Sequence, residues 1–200
     1  VEIRDASHLW GKDTHETTRI LHEDVDKEAQ IACIGPAGEN LVRYASIITN
    51  LYRAAGRAGM GAVMGSKKLK AIAVRGTRSV EVADFDRFME LSEEAHWRIL
   101  GYPQAQAMAR YGTPLLVGIK QTIGELPTKN HQTGVFPNAE ALSAETIRKN
   151  YWVKTRSCFS CRTMCKKVNT ARTGPYARTL CEGPEYETIM AFGTNCYNAD

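Results

Sequence analysis

The stretch RAAGRAGMGAVMGSKKLKAIAVRG, residues 53–76, decides how the first part of the chain is read. It packs Gly56, Gly59, Gly61 and Gly65 into ten residues and runs into LKAIAVRG (69–76), which predicts a strand ending at Gly76. Without side chains, successive backbone N–H groups can approach an anion or a flat ligand closely. The spacing matches neither common phosphate loop. Gly65 is followed by Ser-Lys and no glycine lies five residues before it, which excludes a P-loop. Gly59 and Gly61 are followed by Gly65, one residue too far for a dinucleotide fingerprint. With Arg53 and Arg57 interleaved, contact with a phosphate or pterin is one reading, and close backbone packing between layers is the other.

Working outward, residues 1–80 read as mixed α/β. VEIRDA (1–6) alternates like a strand. DTHETTRILHEDVD (13–26) reads as a helix with Asp13 as its cap and Ile20 and Leu21 on its apolar side. AQIACIGPAG (29–38) reads as a buried strand broken by a Gly-Pro turn, and LVRYASIITNLYRAAG (41–56) as either a strand pair or a helix. Composition shifts at 77–84, so a domain boundary is placed near residue 80. Beyond it the pattern is helical. Asp84 caps a helix carrying Phe85, Phe88, Met89 and Ala95 on one face, and Gly112 stops a second helix. Thr113 and Pro114 start a third as cap and first residue, 125–140 is a loop, and Ser143 caps a fourth through about Asn150.

The chain has 200 residues, a net charge of +4, 43% hydrophobic and 24% charged residues. These values are ordinary for a globular protein. The only dense basic run is SKKLK (66–70), which argues against nucleic-acid binding. No run of 18 apolar residues suggests a membrane span. No signal peptide is recognisable and the first residue is Val1, so an internal piece of a longer cytoplasmic protein is expected. The six cysteines are clustered, which argues for metal or redox chemistry in a reducing compartment rather than a disulfide framework.

Three of them lie in RSCFSCRTMCKK (156–167), where Cys158, Cys161 and Cys165 follow a C-x2-C-x3-C rhythm. Zinc takes four ligands, usually from two such knuckles or with a histidine pair. Here no second C-x2-C exists and no histidine follows residue 131. An iron–sulfur cluster uses closely spaced cysteines plus a distant one, which suits the spacing better, while a zinc site and no metal stay open. Arg156, Arg162, Lys166 and Lys167 flank the thiols. They are either charge compensation for a thiolate cluster or ordinary solvated charge.

Together the two motifs resemble the tungsten-dependent aldehyde ferredoxin oxidoreductase family. The blocks that carry the likeness are EIRDASHLWGK (2–12), IGPAGENLVRYA (34–45), 53–76, YGTPLLVGI (111–119), KNHQTGVFPNA (129–139), CFSCRTMC (158–165) and EGPEYETIMAFGTNC (182–196). The resemblance implies an α+β fold. Residues 1–80 would be the end of a β-rich pterin-binding domain, and 81–200 the start of a mainly helical domain carrying the iron–sulfur motif. It also implies tungsten (or molybdenum) held by two pterins beside a [4Fe–4S] cluster. Cys158, Cys161 and Cys165 match three cluster ligands, the fourth lying beyond residue 200. Arg53, Ala54, Gly56 and Arg57 match the pterin-contacting stretch, and Glu187 an acidic residue near the metal. By itself such a piece is expected to be inactive.

Within the family two positions depart from the aldehyde-oxidising pattern. His131 stands in place of an aromatic residue and Cys196 in place of an aliphatic one. Both resemble the catalytic subunit of the ATP-independent benzoyl-coenzyme A reductase, where a cysteine ligates tungsten and a histidine is a proton donor. Glu125 is a further acid–base candidate. The implied activity is therefore reduction of an aromatic acyl-coenzyme A, with oxidation of aldehydes to acids as the alternative and a zinc-stabilised binding module as a remote third. The implied partners are ferredoxin or electron-transfer subunits, in an oligomeric full-length protein.

Overall fold

Alternation in QIAC turns Ile31 and Cys33 to one side of a strand, and that side is where the first part of the molecule is buried. The computed structural model describes residues 1–199, which form two compact units, Val1–Glu81 and the residues from Val82 onward.

In the first unit a helix, α1 (Thr14–Asp24), precedes the central strand β1 (Gln30–Cys33). A short helix α2 (Pro36–Glu39), strands β2 (Ile47–Thr49) and β3 (Arg53–Ala55), helix α3 (Met60–Ser66) and strand β4 (Ala71–Val74) follow. The sheet is antiparallel, in the order β3-β2-β1-β4. The ambiguous stretch 41–56 is thus a strand pair, turned by the left-handed residues Asn50 and Leu51. Asp13 caps α1, accepting from the N–H groups of His15 and Glu16. Leu21, as expected, packs half-buried against Ala29, Ile31 and Cys33, while the fully buried residues of α1 are Thr17 and Thr18 and Ile20 stays half-buried. A compact threonine lets the helix approach β1, and Thr18 Oγ1 is satisfied by the Thr14 carbonyl at 2.7 Å. VEIRDA forms no strand: residues 1–6 find no neighbouring strand among the described residues, and their polar groups pair locally, as in Arg4 with Glu2.

Three of the opening glycines serve backbone packing, Gly61 among them, where a Cβ would stand 2.6 Å from the Ser46 carbonyl oxygen. A Cβ on Gly65 would stand 1.9 Å from the Gly38 carbonyl oxygen, so α3 and α2 touch main chain to main chain. Gly59 adopts φ 66°, and a Cβ there would reach within 2.0 Å of the Arg43 oxygen. Gly56 faces no such wall and is exposed. Beneath these helices Lys70 is buried with Glu39. Lys70 Nζ donates to Glu39 Oε1 at 2.5 Å and to the Lys12 carbonyl at 2.8 Å. The same carboxylate accepts the Gly11 N–H at 2.9–3.0 Å, so one ion pair joins α2, the 11–12 turn and the approach to β4.

The second unit begins with α4 (Phe85–Gly101), capped by Asp84, whose side chain accepts the Arg87 N–H. Phe85, Phe88 and Met89 lie on its exposed surface, and no residue of α4 is fully buried. Helix α5 (Pro103–Tyr111) ends at Gly112, φ 74°, and α6 (Leu115–Thr122) follows. Contrary to the expectation from sequence, Thr113 does not cap α6, whose N-cap position is Pro114. Its hydroxyl instead donates to the Glu185 carboxylate and accepts the Tyr186 N–H at 2.9 Å, tying two distant segments. After a loop come α7 (Ala144–Asn150), capped by Ser143, and the antiparallel sheet β5 (Trp152–Arg156), β6 (Lys166–Thr170) and β7 (Leu180–Glu182). A short helix α8 (Tyr186–Thr188), a π-helical turn (Ile189–Gly193) and a 3-10 turn (Thr194–Cys196) close the described chain. Val117, Leu126, Phe136, Ala139, Ile147 and Ile189 form the core. Among the described residues no helix is long and apolar enough to cross a membrane.

Removing one partner of a buried ion pair strands the other charge, whereas replacing both does not. Lys70→Met or Glu39→Leu alone is expected to lower the unfolding free energy by about 3–5 kcal/mol. The double replacement should lose less than the sum, as read by a double-mutant cycle in urea.

Candidate functional site

The cysteine motif is the turn of the β5–β6 hairpin. β5 ends at Arg156 and β6 begins at Lys166, so residues 157–165 bulge from a paired stem. Left-handed Ser160 and Met164 bend this loop back on itself, and the Cys161 N–H donates to the Cys158 carbonyl at 3.1 Å. The three thiols are free. The N–H groups of Thr163 and Met164 point at Cys161 and hold its thiol below the ordinary cysteine range. Burial pushes Cys165 up, with smaller contributions from Glu185, Cys161 and Cys158. The three sulfurs therefore share one electrostatic neighbourhood.

Two features fix the loop from below. Lys167 is buried, and its Nζ donates to the Ala109 carbonyl at 2.8 Å and the Met164 carbonyl at 2.9 Å, bridging the end of α5 to the loop. Gly112 lies so close that a Cβ would stand 2.7 Å from the Cys165 oxygen. On the outer side Arg162 Nε donates to His96 Nδ1 of α4 at 3.1 Å, beside an open recess of about 340 Å³ lined by Ser157, Ser160, Cys161 and Met164. By sequence His96 reads as structural or merely exposed. A lone histidine 66 positions from its partner gives no sequence signal of pairing with the cysteine loop.

Among the described residues no three His, Cys, Asp or Glu side chains gather as ligands of one ion. A closed zinc site would draw its ligands to about 2.0–2.3 Å from a single point. A four-iron cluster presents each thiolate to a different iron, so its thiolates stand further apart. Three free thiols share one loop, and one of them receives backbone N–H groups.

The other candidates of this unit lie on three segments. Lys129, Asn130 and His131 are consecutive left-handed residues, with φ of 51°, 52° and 64°. Such backbone persists for non-glycine residues only where its surroundings hold it. The holding segment is 194–195. Lys129 N–H donates to the Thr194 carbonyl at 3.1 Å, Asn130 N–H to the Asn195 carbonyl at 3.0 Å, and His131 N–H to Asn195 Oδ1 at 3.3 Å. The buried Thr194 hydroxyl reaches the Pro127 carbonyl at 2.6 Å. Lys129 Nζ sits 4.2 Å above the Tyr197 ring, which meets Phe136 edge-on at 5.4 Å. The blocks bearing His131 and Cys196 are thus fastened together. The Cys196 thiol is exposed and donates to the Ala191 carbonyl at 3.2 Å, and the His131 side chain is exposed. Glu125 is exposed and paired with Lys120 at 2.5 Å. Glu187 is also exposed. The phenol of half-buried Tyr186 is pushed up by burial, with smaller influences from Lys120, Glu187 and Glu125. Glu185, not Glu187, is the carboxylate that acts on the cysteine loop.

In the first unit Arg53 and Ala54 lie on edge strand β3, with Gly56 and Arg57 just beyond it. Arg53 is half-buried and donates to the Tyr52 carbonyl at 3.2 Å, while Ala54, Gly56 and Arg57 are exposed. Edge strand β3 thus leads into exposed Gly56 and Arg57 with arginine charge beside an exposed main chain, suited to an anionic group.

Residues 1–76 match the family described as aldehyde ferredoxin oxidoreductase, N-terminal domain, and residues 90–200 that described as aldehyde ferredoxin oxidoreductase, domains 2 and 3. The chain belongs to the aldehyde ferredoxin oxidoreductase family. Within that family it is 50% identical over 199 residues to a tungsten-containing aldehyde ferredoxin oxidoreductase of Pyrococcus horikoshii, a match covering 98% of this chain and 32% of that protein. It is 33% identical over 210 residues to the WOR-like subunit of an aliphatic sulfonate oxidoreductase of Pyrococcus furiosus, covering 98% of this chain and 33% of that one. Among solved structures it resembles the active-site complex BamBC of benzoyl coenzyme A reductase in complex with 1,5-dienoyl-CoA. There the TM-score is 0.70 at 29% identity, over 98% of this chain and 31% of that chain. The chain thus spans about a third of the length of the relatives it matches. The α+β architecture expected from sequence agrees with these matches.

Two outcomes follow from the geometry. In iron-free protein, alkylation by iodoacetamide followed by peptide mass spectrometry is expected to modify Cys161 at lower pH than Cys165, because the first thiol is held below and the second above the usual range. Thr194→Val removes the bond to the buried Pro127 carbonyl. It is expected to destabilise the unit by about 1–3 kcal/mol, with faster amide exchange at 129–131.

Proposed function

We propose that this chain is part of a tungsten–pterin, iron–sulfur oxidoreductase that oxidises aldehydes to carboxylic acids and passes the electrons to ferredoxin. The observation that carries the redox reading is the cysteine loop: three free thiols on a hairpin turn, with backbone N–H groups on Cys161 and a buried ammonium beneath. Cys158, Cys161 and Cys165 would each ligate one iron of a [4Fe–4S] cluster, the fourth ligand coming from elsewhere in the longer protein. Arg53, Ala54, Gly56 and Arg57 would hold pterin phosphate through charge and main chain. When bound, the tungsten–pterin group supplies a two-electron centre and the cluster a one-electron relay. The net reaction turns an aldehyde and water into a carboxylate, releasing three protons and two electrons, one to each of two ferredoxins. Glu187 would take a proton from the water or orient the substrate oxygen, with Glu125 and His131 as neighbouring proton carriers. Six free cysteines suit a reducing, cytoplasmic setting.

The choice of aldehyde rests on similarity: 50% identity to the tungsten-containing aldehyde enzyme against 29% to the benzoyl coenzyme A reductase complex. A second reading, reduction of an aromatic acyl-coenzyme A, is favoured by one observation. The same backbone contacts fasten the His131 and Cys196 blocks together, which would set a proton donor beside a thiolate ligand to tungsten.

The full-length protein, purified without oxygen, is the material for the test. Iron and tungsten are expected by metal analysis, with aldehyde-dependent reduction of ferredoxin. Ring reduction of benzoyl-coenzyme A without aldehyde oxidation would move the assignment to the second reading, and zinc without iron would sink both. Glu187→Gln is expected to lower kcat by about 10²-fold or more, with a smaller change in KM.

A further inference from the structure

A buried ammonium group normally sits against a carboxylate, because an unpaired charge in the interior is costly. Lys167 is 6% exposed, yet its Nζ bonds only to the carbonyls of Ala109 and Met164, and among the described residues no carboxylate lies within ion-pair distance. Three charges or potential charges act on it. Burial disfavours its charge, while the Cys165 thiol and Glu185 favour it and Arg148 opposes it. Glu185 is already engaged with the Thr113 hydroxyl. Arg148 is turned away, over the Trp152 ring at 4.5 Å and onto the Arg110 carbonyl at 2.8 Å. Cys165 is two residues from Lys167, on the loop whose Met164 carbonyl the ammonium holds. The other cations near the loop are solvated or otherwise paired: Arg162 on His96, and Arg156 and Lys166 on Glu182.

We infer that Lys167 is a positioning residue of the redox site: its fixed, buried charge is the counter-charge to the thiolates of the cysteine loop and raises the reduction potential of the cluster they would hold. This rests on the cluster reading above. Each electron added to a thiolate-bound cluster makes it more negative without changing its ligands. A positive charge held close by in a low-dielectric environment favours that reduced form. Solvated arginines at the rim act through water and are screened, whereas Lys167 is not. Its two carbonyl bonds add a second effect, since they keep the charge beneath Cys165 whatever the oxidation state.

The test uses the full-length enzyme and a redox titration of the cluster followed by electron paramagnetic resonance. Lys167→Met and Lys167→Gln, the second keeping a neutral N–H donor for the carbonyls, are expected to retain iron and shift the midpoint to lower potential. Lys167→Arg should restore it towards the wild-type value. Two results would overturn the inference. One is an unchanged midpoint in neutral variants that keep their iron. The other is failure of both neutral variants to fold while the Lys167→Arg variant is sound, which would make the residue scaffolding. Absence of iron and of a cluster signal in the wild-type protein is a separate result, because it removes the cluster reading itself before any variant is compared.

Discussion

The ammonium of Lys167 is the tie on which the second unit's cysteine loop depends. A hairpin turn of nine residues has no core of its own, and three cysteines on it would otherwise sample many arrangements. Two bonds from one buried nitrogen fix the loop's Met164 carbonyl to the Ala109 carbonyl at the end of α5. Gly112 then allows the chain to pass against the Cys165 carbonyl, where any side chain would intrude. The Thr113 hydroxyl, one residue on, receives the Tyr186 N–H and donates to Glu185. A single bend between two helices thus sets both the cysteine loop and the start of α8.

The surface bearing His131 is built by another means. Three consecutive left-handed residues are an unfavourable local conformation, and each such residue away from glycine costs on the order of 1–3 kcal/mol. Main-chain bonds to Thr194 and Asn195, with the buried Thr194 hydroxyl behind them, offset that strain. The π-helical turn Ile189–Gly193 immediately precedes these partners, and such turns occur often at functional sites. Strain, a π-helical turn and chemically capable side chains coincide on this surface, while the first unit's arginine-bearing edge strand is open and regular.

The glycine-rich stretch shows how one motif can hold two kinds of requirement. Gly59, Gly61 and Gly65 are needed because backbone approaches backbone, which was the plainer of the two sequence readings. Gly56 has no such neighbour and stays available for a ligand. Spacing could not separate them, because both uses need the same missing side chain.

Sequence alone determined the helix caps at Asp13, Asp84 and Ser143, the strand in QIAC, the stop at Gly112 and the cysteine rhythm. Each is a local preference carried by a few adjacent residues. The family was legible for the same reason, in contiguous blocks. Tertiary structure decided what adjacency cannot: that VEIRDA forms no strand, that Thr113 serves α8 rather than its own helix, that Thr18 joins Leu21 against β1, and that Lys167 lies buried near Cys165 while its neighbour Lys166 pairs with Glu182. A lysine reads the same in sequence whether it is solvated or enclosed. Only the packing of α5 against the hairpin, across 58 positions, encloses its charge beneath the cysteine loop.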